Sequence, residues 1–141
     1  MSMPFILLPT FVLVVATFML LFRTAQVRVA AVRRGAVHPR DIALRQPNWP
    51  ARETQIANAY QNQLELPVLF YVLTILAIIT RHADLLFVLL SWVFVVLRLL
   101  HIYIHVTSNH LSRRFQVFAA SAIVLAIMWA IFIIRILFRL P

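Results

Sequence analysis

Cysteine is absent from this 141-residue chain, and so is lysine. Without a thiol there is no disulfide framework, no cysteine nucleophile and no thiolate metal site. Glycine occurs once, which excludes collagenous and Gly-rich linker compositions. Charge is scarce: 12% of residues are charged and 63% are hydrophobic, whereas a soluble domain carries about 25% charged residues. Such a composition cannot clothe a water-soluble surface, so lipid must be the solvent for much of the chain. Acids are the rarest class, four against thirteen arginines, for a net charge of +9. In a soluble domain that balance would point to nucleic acid. Here Arg23, Arg28, Arg33, Arg34, Arg40, Arg45 and Arg52 share one stretch between apolar segments. That is the pattern of the positive-inside rule. The partner is the bilayer, and no nucleic acid is expected.

Four apolar spans emerge, over residues 3–22, 58–79, 85–106 and 115–138. They predict a single all-α membrane domain, a four-helix bundle, because about 20 apolar residues cross a core of about 30 Å. The first span lacks a basic start and a small-residue cleavage site, so a retained helix is expected there. A basic loop, residues 23–54, follows; Gly35, Pro39, Pro47 and Pro50 punctuate it and predict ordered loop rather than long helix. The purely apolar part of the second span, Leu66 to Ile79, is too short to cross. Its helix must therefore start near Asn58 or earlier and carry Asn58, Asn62 and Glu65 into the membrane, with Pro67 kinking it. Counting arginines puts the basic loop and the Arg113/Arg114 connection in the cytoplasm, and the N-terminus outside. An all-arginine basic set fits a bacterial inner membrane.

Ionisable groups at membrane depth cost at least about 2.5–3.5 kcal/mol each, so they face the bundle interior and find partners. Asn58, Asn62 and Glu65 are spaced i, i+4, i+7, on one helical face; Arg98, His101, His105 and Asn109 line one face of the third span. Counting rise per residue, Glu65 lies roughly 10 Å above Asn58 and Arg98 roughly 12 Å above Val106. Matching depth predicts a Glu65–Arg98 ion pair inside a polar wedge open to the cytoplasm. Such a wedge serves either a ligand or helix–helix adhesion. His101 and His105 at i, i+4 have no further ligand set beside them, so no metal is assigned.

The segment Asn62-Gln63-Leu64-Glu65-Leu66-Pro67 resembles the Asn-x-x-Glu-x-x-Pro signature of the MAPEG family, the membrane-associated proteins of eicosanoid and glutathione metabolism. Arg98-Leu99-Leu100-His101, and Arg113/Arg114 at the head of the fourth span, fall where that family keeps further polar residues. The resemblance covers essentially the whole chain. It implies a homotrimeric bundle that binds glutathione as co-substrate near the cytoplasmic face and acts on a lipophilic small molecule, by transferase or peroxidase chemistry. On that footing Asn58, Asn62, Glu65, Arg98, His101 and His105 are ligand-binding candidates. Arg113 and Arg114 are the catalytic candidates, as partners of the thiolate. Three departures stand out: Asn58 replaces a usual Arg, His101 and His105 replace usual tyrosines, and the motif is one residue shorter before its Pro. These keep a second class open: a non-catalytic lipid- or quinone-binding member, or an accessory subunit of a larger membrane complex.

Overall fold

The computed structural model describes all 141 residues and is entirely helical: α1 (Met3–Arg33), a short 3-10 turn (Pro39–Asp41), α2 (Ala51–Asn62), α3 (Leu66–Ile79), α4 (Leu85–Val106) and α5 (Leu111–Leu137). Four segments are long and apolar enough to cross a membrane: α1, α2 with α3 as one interrupted helix, α4 and α5. The chain is thus an all-α membrane four-helix bundle.

Lipid-facing side chains cover the outside, among them Phe11, Val15, Phe18, Ile75, Leu89, Ile123 and Ile127. The centre is held by Leu13, Phe70, Leu73, Phe94, Val95 and Leu125, all buried. Phe70 of α3 stacks on Phe94 of α4 with centroids 4.9 Å apart, a geometry worth about 0.5–1.5 kcal/mol. In lipid, where tails are as apolar as leucine, such close packing rather than water exclusion holds helices together. Helix α4 is the hub, packing on α1, α2 and α5.

The structure departs from the sequence-based expectation at two places. First, α1 does not end near Phe22 but runs through the start of the basic stretch to Arg33. The segment from Arg23 to Arg34 contains no Gly or Pro and is rich in Ala and Arg, good helix formers, so nothing stops the helix before Gly35. Gly35 adopts φ 74°, which ends the helix in the left-handed region. The loop then folds back. Arg28 lies over the Trp49 ring at 4.7 Å, and Arg34 pairs at 3.0 Å with Glu53, whose side chain is 4% exposed. Second, the helix of the second span, which starts at Ala51 in keeping with a start near Asn58 or earlier, is interrupted, not merely kinked, over residues 63–65. Pro67 lacks an N–H and would clash with the carbonyl four residues back. The chain responds with tight turns: the Gln63, Leu64 and Glu65 N–H groups donate to carbonyls three residues earlier, at 2.9, 2.9 and 3.4 Å.

At the opposite end, Asp84 caps α4 by accepting the Phe87 N–H at 3.0 Å and pairs with Arg135 of α5 at 2.9 Å. Burial alone would raise the Asp84 carboxyl, but these two bonds together with the Arg135 charge hold it below its usual value. A depressed carboxyl contributes its stabilisation in full above the unfolded value of about 3.9 and loses it as pH falls through the lower folded value. The melting temperature in detergent should therefore hold from pH 7 to about 5 and decline below about 4, and Asp84→Asn should flatten that decline. An unchanged slope in the variant would remove Asp84 as its source.

Candidate functional site

Toward the end of the bundle that carries the basic loop, α2, α4 and α5 diverge around a cleft of about 380 Å³. Its walls carry Asn58, Gln61, Asn62 and Glu65 from α2 and the break, His101 and His105 from α4, and Arg114, Phe115 and Phe118 from α5. Each placement follows from local sequence. The i, i+4, i+7 spacing brings Asn58, Asn62 and Glu65 onto one face, and His101 and His105 share a face of α4. Arg114 enters because His110 caps α5 by accepting the Arg113 N–H at 3.3 Å, which fixes where the first turn points.

The candidates do not all converge. Arg114 lines the cleft, its guanidinium donating to Asn109 Oδ1 at 2.6 Å. Arg113 is exposed and lies outside the lining. Arg98 is 0% exposed, behind the cleft wall. The expected Glu65–Arg98 ion pair does not close within 4.0 Å, the three pairs in the chain being Arg34–Glu53, Arg40–Asp41 and Arg135–Asp84. Arg98 Nη2 instead donates to the Asn62 side-chain oxygen and, at 3.4 Å, to the Asn62 carbonyl. The reason lies in the break: ending α2 at Asn62 leaves the negative end of a helix dipole inside the bundle, and Arg98 caps it. Glu65, the last residue of the interruption, stays exposed to the cleft.

The capping is reciprocal. Arg52 donates to the Val106 carbonyl, and Gln55 donates to the carbonyls of His105 at 2.7 Å and Thr107 at 3.2 Å. Helix α2 thereby caps the C-terminus of α4 just as α4 caps the C-terminus of α2, which locks their antiparallel register.

Sequence reasoning missed Gln63, which is 1% exposed with both amide atoms unpartnered. Its position out of phase with Asn58, Asn62 and Glu65 hid it; the break rotates it inward. Behind the wall, Arg98 Nε and Nη1 and the Nδ1 atoms of His101 and His105 also lack partners. Buried polar atoms are normally bonded, so this cluster is rich in unused hydrogen-bonding capacity. The ring of Phe118 sits 5.9 Å from His101 and 5.8 Å from the Arg98 guanidinium carbon, giving the polar wall an aromatic partner. No group of three or more metal-ligating side chains comes together.

Chemically, the cleft is lined by one carboxylate and one guanidinium that make no ion pair within 4.0 Å, Glu65 and Arg114, together with amide side chains. It suits a small zwitterionic or polyanionic ligand with an apolar neighbour against Phe115 and Phe118. Among comparisons with known proteins, the model of the MAPEG family matches residues 6–134, nearly the whole chain. Neither a curated protein nor a solved structure matched.

Proposed function

The chain belongs to the MAPEG family, and on that footing we propose that its α2–α4–α5 cleft binds glutathione and joins its sulfur to a lipophilic electrophile, or uses it to reduce a lipid peroxide. The observation that carries the reading is that Glu65 and Arg114, neither of them in an ion pair, line one cleft. Glu65 would take the α-ammonium of the tripeptide. Asn58, Gln61 and Asn62 would donate to its carboxylates, and Arg114 would stabilise the sulfur as S⁻, the true nucleophile. Phe115 and Phe118 would hold the lipophilic reactant. In transfer, the thiol proton leaves to water, the C–S bond forms, and the electrophile takes up the electron pair. Arg113, outside the lining, is assigned no contact with sulfur.

We infer further that the protein works as a homotrimer in a bacterial inner membrane, with the basic loop in the cytoplasm, where glutathione is plentiful. Nine arginines share the loop side, counting Arg113 and Arg114 with the seven of the basic stretch, and this supports that orientation.

A second reading has its own support. The unpartnered nitrogens of Gln63, Arg98, His101 and His105 would donate to the carbonyl oxygens of a quinone-like head group held without chemistry. Calorimetric titration of the purified protein with glutathione separates the two. The enzyme reading expects saturable binding in the millimolar range or tighter. Glu65→Gln should weaken it about ten-fold, the scale of one charge-assisted bond of about 1.5–3 kcal/mol. Absence of binding at several millimolar glutathione leaves the quinone-type reading.

A further inference from the structure

A second concavity lies outside the cleft, between α1, α2 and α4. It is a groove of about 920 Å³, walled by Ala16, Met19, Leu20, Phe22, Leu99 and Ile102. Arg23, Gln26 and Arg52 stand at one end of it. Arg23 follows the last residue of the first apolar run, and Arg52 is tied to the carbonyl of Val106, the last residue of α4. Both guanidiniums therefore sit at the level where the apolar helix surface gives way to the basic loop. From Arg23 the groove runs back to Ala16, seven residues or roughly 10 Å into the apolar zone.

The charge here is uncompensated. The chain has four acids. Glu53, Asp41 and Asp84 are matched with Arg34, Arg40 and Arg135, and Glu65 lines the other cleft. Arg23 bonds to Gln26 at 2.9 Å and Arg52 to a backbone carbonyl, so neither meets a carboxylate. Two free guanidiniums at the head of an apolar trough complement one shape and charge, a phosphate esterified to hydrocarbon chains. We propose that this groove is a binding site for an anionic phospholipid, with one acyl chain along Ala16, Leu20 and Leu99 and the phosphate between Arg23 and Arg52. Arginine suits the role because its planar fork bonds a phosphate bidentately. The site is separate from the cleft and does not depend on glutathione binding there.

The test is native mass spectrometry of protein released from vesicles of equal phosphatidylglycerol and phosphatidylcholine. The wild-type protein should retain phosphatidylglycerol in clear excess. Each guanidinium bonded directly to the phosphate is worth about ten-fold or more in affinity, so Arg23→Gln/Arg52→Gln should reduce the excess by about a hundred-fold. Arg23→Lys/Arg52→Lys should keep most of it, which separates lost charge from lost folding. Arg33→Gln/Arg45→Gln removes the same charge from the same loop outside the groove, acts only through the diffuse surface field, and should change the excess several-fold less than the Arg23/Arg52 pair does. Ala16→Phe, which fills the trough, should strip bound lipid while leaving helicity intact. Equal losses in the two glutamine double variants would reduce the effect to diffuse charge and overturn the site. So would undiminished lipid in Ala16→Phe, since a phosphate alone would then suffice. Because the chain has no cysteine, Met19→Cys gives a clean third check: efficient disulfide crosslinking between copies in bilayers would show that a second chain, not lipid, fills the groove.

Discussion

Asn62→Leu is expected to cost about 1.5–3 kcal/mol of stability, the scale of a hydrogen bond to a charged group, while Glu65→Gln costs less than about 0.5 kcal/mol. The contrast follows from where the Arg98 charge goes. Its guanidinium is wholly buried, and Asn62 supplies every hydrogen bond it makes, through the side-chain oxygen and the main-chain carbonyl. Leucine removes the side-chain acceptor and leaves only the 3.4 Å carbonyl contact, at a depth where an unsatisfied ion is most costly. Glu65 is exposed and makes no ion pair with Arg98 within 4.0 Å, so water screens most of what its charge contributes. Equilibrium unfolding in mixed micelles with increasing dodecyl sulfate measures both. The reverse order, with Glu65→Gln the more damaging, would restore the carboxylate as the partner of Arg98.

Arg114→Gln should lower the conjugation rate at pH 7 about three-fold and move the pH profile upward by about two units. A free thiol of pKa about 8.5 is only about 3% ionised at pH 7. An adjacent guanidinium that lowers it by about two units would make thiolate the major form. The gain in rate is smaller than the gain in thiolate, because nucleophilicity falls as basicity falls. Arg114→Gln should therefore recover much of its rate by about pH 9, where the thiol ionises unaided. Arg113→Gln should track the wild type throughout, since Arg113 stands outside the cleft. A loss in Arg114→Gln with an unshifted profile would make that side chain a binding residue rather than a thiolate stabiliser. Equal effects in both variants would dissolve the distinction between the two arginines.

The bundle was legible because hydrocarbon imposes so strong a constraint. Runs such as Leu85–Val106 admit few other readings, and α4 has those same bounds. Polar periodicity also located most of the cleft: Asn58, Asn62, Glu65, His101 and His105 do line one concavity, as does Arg114. What periodicity could not supply was the backbone between Gln63 and Glu65. Assuming an unbroken helix put Glu65 level with Arg98 and left Gln63 facing away. Pro67 signalled a disturbance, but its sequence does not distinguish a kink, which keeps the register, from an interruption, which resets it. The end of α1 was missed for a different reason. Gly35, Pro39, Pro47 and Pro50 marked the whole stretch as loop, although all four lie beyond Arg34 and the residues from Arg23 to Arg34 favour helix.

That interruption also bears on how reactants arrive. Helix α3 has 14 residues, about 21 Å of rise, which is shorter than a hydrocarbon core of about 30 Å. Measured inward from the far surface, the chain has not reached the near headgroups when it comes to Glu65. On that count the floor of the cleft lies below the water line, and under the proposed function two routes would meet there. A hydrophilic peptide would descend along α2 from the aqueous side, while an oily molecule already dissolved in the leaflet would drift in sideways past Phe115, without ever leaving lipid.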